Sequence, residues 1–289
     1  MQYLNKNMHV HAMSYPFNYV VLYDFFSKEA YTNLHYFVEH YKHAGTKIGQ
    51  VGHDPKNFYE GKNYSPSFRD LQTTKCSFLL SRGLRDFATS FFHTRVNDYI
   101  ALGVHSHAAG SPTGWAHSDF NIVSFQKGIV PPTSNSLRMW EPGSCVYTDN
   151  SAHNQPNTIK TARHIVCILY VGNEQWNMGD GGETGIFSEY ETDRPLISRV
   201  PPLNNSLLIF EINPVSAHSF LETKKERNSI IWWYHTSPAY AVHRNRNLIE
   251  FKKQYMKQDA FESWIPADVE TWDIKNDPQY EHFWGGGMS

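Results

Sequence analysis

The sequence predicts a mainly β fold with flanking helices, arranged as an antiparallel sandwich or barrel. Two segments with helical spacing come first, many short strand-like segments separated by turn residues follow from about residue 100, and one more helix lies near the end. Aromatic residues, which favour strands, make up 15% of the 289 residues. The chain shows no internal repeat that would indicate a solenoid or a propeller.

The first hundred residues are predicted to support that β core. Residues 17–26 (FNYVVLYDFF) are rich in β-branched and aromatic residues and predict a strand. Ser27 predicts the N-cap of a helix over residues 28–43, where apolar residues recur at helical spacing. The other expectations for this part are a loop over 44–75, a short strand Cys76–Leu80 and a second helix capped by Ser81.

The core strands are predicted after residue 100. The candidates are Trp115–Phe125, Arg163–Val171, Glu183–Phe187, Ser206–Ile212, Ser216–Leu221 and Ser229–His235. Between the first two lies a polar insertion, residues 126–161, which is either a lid or an unstructured loop. A final helix is predicted over Leu248–Gln258. We interpret residues 1–289 as a single catalytic domain, with support over 1–100, a core over 101–238 and a C-terminal helical extension over 239–289.

Composition excludes several classes of protein. There are 26 basic and 28 acidic residues, so the net charge of −2 argues against a general basic field for nucleic acid. The apolar run Ile165–Val171 is far shorter than the ~20 residues of a membrane helix, so we expect no membrane partner. Three cysteines, widely spaced, suggest reduced thiols and a cytoplasmic location. We expect the aromatic residues of the C-terminal tail to pack on the core or to form the face of a homodimer; they include Trp264, Trp272 and Trp284.

Three residues form a candidate metal-binding set. His117 and Asp119 lie two apart, so on a strand their side chains would point to the same face. His218 lies in a second strand-like run. Two histidines and one carboxylate leave coordination positions open, which suits a non-haem Fe(II) oxygenase. Taken singly, each is more often a structural polar residue.

Arg227 and Ser229 form a candidate anion-binding pair. A guanidinium offers a rigid fork for a carboxylate, and Ser229, two residues further, would share its face. If a hairpin turns near residues 223–225, Arg227 would lie on the strand next to His218, deeper in the same pocket. The alternative is a solvated basic cluster, which the apolar run after Arg227 makes less favourable.

The order of these motifs resembles that of the Fe(II)- and 2-oxoglutarate-dependent dioxygenases, and the sequence pattern is similar to that of the prolyl-hydroxylase-like branch. The resemblance covers roughly residues 100–236 and includes HSD, RHIVCILYV, GDGGETGIF, NSLLIF and H-x8-R-x-S before IIWWYH. It implies a double-stranded β-helix (jelly-roll, cupin-like) core. It also implies Fe(II), 2-oxoglutarate and O2 as cofactors.

Site roles follow from this resemblance position by position. His117, Asp119 and His218 would bind iron, while Arg227, Ser229 and Tyr170 would bind the distal carboxylate of 2-oxoglutarate. The positions that would line the substrate pocket are Arg163, Trp233, Trp115, His105 and His107. The family often has a tyrosine where the stretch VHSHAAG places these two histidines. The turn Gly181-Gly182-Glu183-Thr184 is given a structural role, since glycine permits a positive φ.

The resemblance implies hydroxylation or another oxidation and not halogenation, because related halogenases lack the carboxylate that Asp119 provides. We expect a small-molecule substrate, an amino acid or a natural-product intermediate. The alternatives are a peptidyl-prolyl hydroxylase and, from another class, a non-catalytic jelly-roll module that binds a metal or ligand. Nucleic-acid demethylation lacks the basic stripe with interleaved aromatics that it would require.

Overall fold

The computed structural model describes residues 2–48, 61–126, 136–139, 145–146, 158–190 and 193–255. The helices of these ranges are α1 (Lys28–Tyr41), α2 (Phe68–Thr73), a 3₁₀ helix (Ser77–Leu80), α3 (Arg82–Ser90) and α4 (Pro238–Tyr255). The strands are β1 (His9–Met13), β2 (Tyr19–Tyr23), β3 (Thr46–Ile48), β4 (Gly61–Tyr64), β5 (Tyr99–His107), β6 (Ile122–Gln126), β7 (Arg138–Met139), β8 (Cys145–Val146), β9 (Thr158–Tyr170), β10 (Thr184–Phe187), β11 (Leu196–Val200), β12 (Ser206–Glu211), β13 (His218–Phe220) and β14 (Arg227–Thr236).

The strands form a major and a minor sheet. The major sheet has the order β1-β2-β12-β9-β14-β5-β4-β3, with all of these neighbours antiparallel, and β6 pairs with the first half of β9. The minor sheet has the order β11-β10-β13. This arrangement, with helices beside it, confirms the predicted mainly β fold with a jelly-roll core.

Two hydrophobic cores lie on opposite faces of the major sheet. On β14, Ile230, Trp232 and Tyr234 join the core shared with α1 and α3. Their neighbours Ile231 and Trp233 join a second core, which also contains residues of the minor sheet such as Ile186 and Val200. Because side chains alternate along a strand, β14 is buried on both faces. The candidate site residues lie on the second face, between the two sheets.

The predicted helix caps are confirmed. The Ser27 side chain accepts a hydrogen bond from the backbone N–H of Ala30 at the start of α1, and Ser81 accepts one from Leu84 at the start of α3. The predicted strand Cys76–Leu80 is wrong, because Ser77–Leu80 is a 3₁₀ helix that buries two consecutive leucines. The predicted loop over 44–75 is also wrong. It contains β3, β4 and α2, and α2 begins with a reciprocal capping box between Ser67 and Asp70.

Several strand predictions need correction. Of Trp115–Phe125, only the part from Ile122 onward is strand; the preceding residues make one isolated bridge. The strands β1, β5 and β11 were not predicted, and α4 begins ten residues before the expected Leu248. The other predicted core strands are confirmed with shifts of a few residues at their ends.

Most of the predicted insertion, 126–161, lies outside the described residues. Its described parts include β7, which pairs with β5, and β8, which pairs with β6. The C-terminal aromatics also lie outside these ranges, so the homodimer and the division of the chain into three parts stay predictions. None of the described helices combines the length and the apolar character needed to cross a membrane.

Candidate active site

His117 and His218 meet at the edge of the minor sheet. Their backbones exchange two hydrogen bonds, N–H of His117 to the carbonyl of His218 at 3.0 Å and the reverse at 2.9 Å. The two histidines therefore converge through one isolated bridge, and not because His117 and Asp119 lie on a regular strand. The expected hairpin is wrong too, because β13 pairs with β10 in the minor sheet while Arg227 begins β14 in the major sheet.

The three candidate iron ligands gather around Asp119. Its Oδ1 lies 3.8 Å from Nε2 of His117 and its Oδ2 lies 3.9 Å from Nε2 of His218. Both spacings are longer than a hydrogen bond, so the two imidazoles stand around the carboxylate without hydrogen-bonding to it. Accordingly, no group of three His, Cys, Asp or Glu side chains in the described ranges is already in metal-ligating geometry.

Both imidazoles can present Nε2 lone pairs to a metal. Nδ1 of His117 lies 2.9 Å from the carbonyl oxygen of Trp115, and a carbonyl can only accept, so the proton belongs on Nδ1. Nδ1 of His218 has a longer contact of 3.4 Å to the carbonyl of Ser216. Burial, reinforced by the neighbouring His117, lowers the pKa of His218 to about 4, so this side chain is neutral at pH 7.

Asp119 is a buried carboxylate with a donor on each oxygen. Arg163 Nη1 donates to Oδ1 and Trp233 Nε1 donates to Oδ2, both at 2.7 Å. Burial would raise the pKa of Asp119, but the charge of Arg163 holds it well below its usual range. A carboxylate oxygen has two lone pairs, so each oxygen keeps one for a metal. The donor set of two imidazoles and one carboxylate thus fits Fe(II).

Arg227 lies on the inner face of the major sheet and is 4% exposed. Its Nη1 donates to Ser229 Oγ at 3.0 Å and its Nη2 donates to Thr184 Oγ1 at 3.2 Å. Tyr170 donates its hydroxyl to the same Thr184 oxygen at 2.6 Å, and its ring centroid lies 5.1 Å from the guanidinium carbon. These contacts hold the guanidinium in place but provide no negative charge.

Within the described part of the chain, no carboxylate contacts the Arg227 guanidinium, and its Nε has no hydrogen-bond partner. Burial lowers the pKa of Arg227 from its ordinary value. A buried charge without a counterion is unfavourable, so this position fits an anionic ligand such as a carboxylate. Phe220 lies between the candidate metal ligands and Arg227. It shares a strand face with His218, and its ring lies 5.6 Å from the guanidinium carbon of Arg227.

The structure brings together the other predicted site residues, with changed partners. Arg163 and Trp233 were expected to line the substrate pocket, but both hydrogen-bond Asp119. Trp115 stacks on His117 with ring centroids 5.3 Å apart. His107 stacks on Phe220 at 4.0 Å.

Thr184 was assigned to a structural turn, yet it accepts hydrogen bonds from both Arg227 and Tyr170. The glycines before it do adopt positive φ, 80° at Gly181 and 77° at Gly182. Alternation along β10 could have indicated Thr184, because its neighbours Glu183 and Gly185 belong to the other face.

A small polar cluster beside Arg227 was only partly foreseen. His105 pairs with Ser229 on one side and with Asn63 of β4 on the other. Burial, then the charge of Arg227, lowers the pKa of His105 to about 4. Its Nε2 and the Oδ1 of Asn63 are buried and have no partner among the residues described. Both point at Gly103, where a Cβ atom would lie 3.2 Å and 2.8 Å from them.

Comparisons with known proteins agree with this arrangement. Residues 133–235 match the model of the 2OG-Fe(II) oxygenase superfamily, a range that includes His218 and Arg227 but begins after Asp119. No curated protein matches the chain.

Among solved structures, a Pseudomonas putida prolyl-4-hydroxylase is 15% identical, with 75% of this chain and 92% of that chain covered and a TM-score of 0.50. A Phytophthora capsici prolyl 4-hydroxylase is 16% identical, with 81% and 66% covered and a TM-score of 0.49. The Pseudomonas structure shares the fold. The matched model covers only residues 133–235, and members of the superfamily that it describes use Fe(II), 2-oxoglutarate and O2.

Proposed function

We propose that the protein hydroxylates an unactivated C–H bond of a small organic molecule, using Fe(II), 2-oxoglutarate and O2. One observation carries the proposal. Arg227, a buried arginine without a carboxylate partner in the described ranges, faces the space between the two sheets where His117, Asp119 and His218 also lie, and it contacts Phe220 from the strand of His218. A paired cationic and metal-ligating site of this kind suits a dicarboxylic acid that also chelates the metal.

The residues of this chain would bind and orient the reactants. When bound, Fe(II) and 2-oxoglutarate would enable O2 to oxidise a C–H bond, with release of succinate and CO2. The Nε2 atoms of His117 and His218 and one oxygen of Asp119 would hold the metal on one side and leave the other side open. Arg227 would bind the distal carboxylate with two charge-assisted hydrogen bonds, in the fork geometry that a guanidinium offers. The apolar side chains of the second core exclude water from this space.

The substrate is proposed to be a compact polar molecule, such as an amino acid or a natural-product intermediate. The support is the cluster around Gly103, where His105 and Asn63 leave two buried polar atoms without partners among the described residues. Buried polar groups are nearly always hydrogen-bonded, so these atoms suit a donor and an acceptor on a bound molecule. A purely apolar substrate would leave them unsatisfied.

A peptidyl-prolyl hydroxylase is the second candidate. The observation that favours it is the fold shared with the Pseudomonas putida structure, which is a prolyl-4-hydroxylase. Fold alone does not determine the substrate, because sites with different specificities occur on one fold. The experiment must therefore compare both substrate classes directly.

The test measures succinate formed by the purified protein with Fe(II), ascorbate, 2-oxoglutarate and O2. Pools of amino acids and small metabolites form one arm, and proline-rich peptides form the other. We expect succinate above the substrate-free rate in the metabolite arm and none in Arg227→Met. A response to the peptides alone would replace the small-molecule proposal with the second candidate. No succinate in any arm, together with no visible charge-transfer band from anaerobic Fe(II) and 2-oxoglutarate, would favour a non-catalytic binding module.

A further inference from the structure

Arg163 and Trp233 converge on Asp119 from two neighbouring strands of the major sheet. The guanidinium binds one carboxylate oxygen and the indole N–H binds the other, each at 2.7 Å. The guanidinium carbon of Arg163 also lies 4.3 Å from the centroid of the Trp233 ring. Each of the three side chains thus contacts the other two.

A β-bulge gives Arg163 its direction. Along β9 the inner-face residues are Tyr170, Ile168 and Val166, so regular alternation would place His164 inside and Arg163 outside. The pairing with β14 shifts instead: Tyr234 pairs with Ile165, and His235 pairs with Arg163. The extra residue, His164, interrupts the alternation at this point and places Arg163 beside His235, on the face of Trp233 and Asp119. Ala162 keeps the inner-face position that regular alternation gives it. Bulges re-aim side chains in this way beside active sites.

We propose that Arg163 and Trp233 are positioning residues that fix the orientation of Asp119 as a metal ligand, and that they do not bind substrate. The inference rests on the proposed function, because it takes Asp119 to be a ligand. A carboxylate can rotate about its Cβ–Cγ bond, and one donor on each oxygen stops that rotation. Oδ1 is then held towards His117 and Oδ2 towards His218.

Arg163 is poorly suited to bind substrate. Its side chain is 11% exposed, and its charge is already matched by the carboxylate of Asp119. Trp233 is 8% exposed and uses its single N–H on the same carboxylate. A substrate that recruited the indole N–H of Trp233 would have to take it from Asp119.

The test titrates the substrate-free protein with Co(II), a redox-stable probe, and follows the visible absorption of the bound ion. Arg163→Met and Trp233→Phe each remove the side chain that donates to one oxygen of Asp119, and Arg163→Met also removes the positive charge. Arg85→Met is the matched control for the arginine, since Arg85 contacts Asp98 at 2.5 Å outside the site. Trp232→Phe is the control for the indole, since it lies on the same strand but faces the first core.

We expect each site variant to weaken Co(II) binding about 10- to 100-fold, the usual effect of removing a group that orients a metal ligand. The two controls should bind Co(II) as the wild type does, and the band shape should change only in the site variants. In the Fe(II)-loaded enzyme, kcat should fall while the KM for 2-oxoglutarate stays constant, because Arg227 is intact. Arg163→Lys, which keeps the charge, should recover part of the Co(II) affinity.

Three results would overturn the inference. The site variants could bind Co(II) as tightly as the wild type, or the controls could lose as much affinity as the site variants. Tighter binding by Arg163→Met would show that repulsion between two cations outweighs positioning. If the wild type itself binds no Co(II), the metal site of the proposed function is refuted as well. This outcome is distinguishable from the three results above, in which the wild type does bind Co(II).

Discussion

Replacing Arg227 with methionine tests the anion-binding half of the site. Methionine keeps an unbranched side chain in this buried position but removes the charge and all five N–H donors. In the ligand-free protein the guanidinium contacts hydroxyl groups, those of Ser229, Thr184 and Tyr170, and no carboxylate among the described residues. We therefore expect the unfolding free energy of the ligand-free variant to stay near that of the wild type.

The loss of 2-oxoglutarate affinity should be large. Removing one partner of a buried ion pair costs about 3–5 kcal/mol, because the other charge stays buried without a partner. At about 1.4 kcal/mol for each factor of ten, the dissociation constant should rise roughly 100-fold to several thousandfold. Arg227→Ala should weaken binding by at least two orders of magnitude for the same reason.

Calorimetric titration of 2-oxoglutarate into the Co(II)-loaded protein measures this change directly. Thermal unfolding provides a second readout, since a ligand at ~100 times its dissociation constant stabilises the wild type by about 2.7 kcal/mol. Tyr170→Phe is the matched control, because it removes a neighbouring hydroxyl without removing charge. It should weaken the binding free energy of 2-oxoglutarate by about 0.5–1.5 kcal/mol. Equal affinities of Arg227→Met and the wild type would refute the reasoning.

Three further changes test other parts of the structure. Asp119→Ala and His218→Ala should lose bound iron and turnover; stoichiometric iron in both, measured by mass spectrometry, would contradict the ligand assignment. Gly103→Ala should raise the KM for the organic substrate but not for 2-oxoglutarate, because its Cβ would fill the space in front of two polar atoms; an unchanged substrate KM would refute this. Burial, then the charge of Arg244, lowers the pKa of His164 to about 3, so the unfolded chain takes up its proton first as pH falls below about 6.5. Denaturant titration at pH 4.5 should show a loss of about 2–3 kcal/mol relative to pH 7 from this residue, smaller in His164→Gln; an equal loss in both proteins would exclude His164 as the cause.

Local signals were sufficient where one residue determines a boundary or where burial is continuous. Ser27 and Ser81 cap their helices with the side-chain hydrogen bonds that their positions predict. The run from Ser229 to His235 is buried on both faces, and its β-branched and aromatic residues indicate a strand wherever it pairs.

Local signals failed where packing overrides propensity. The segment Cys76–Leu80 is apolar enough for a strand, but a 3₁₀ helix lets Leu79 and Leu80 both enter the first core. In residues 44–75 the strands are short, and β4 exists because it extends the major sheet beside β5. A single short window of sequence identifies neither the core that the two leucines enter nor the strand β5 that β4 pairs with.

The candidate site was predictable as a set of residues but not as a set of contacts. His218 and Arg227 lie in different sheets, so the pocket that they share is the space between sheets and not a hairpin. The nine-residue separation is compatible with both arrangements, and so the sequence could assign both residues to one candidate site with the wrong connection between them. The direction of Arg163 could not be predicted in the same way, because a bulge interrupts the alternation on which any sequence argument about strand faces depends. The contact that this bulge creates with Asp119 changes Arg163 from an expected substrate contact into a group that orients the carboxylate, and this reassignment follows only from the pairing of β9 with β14.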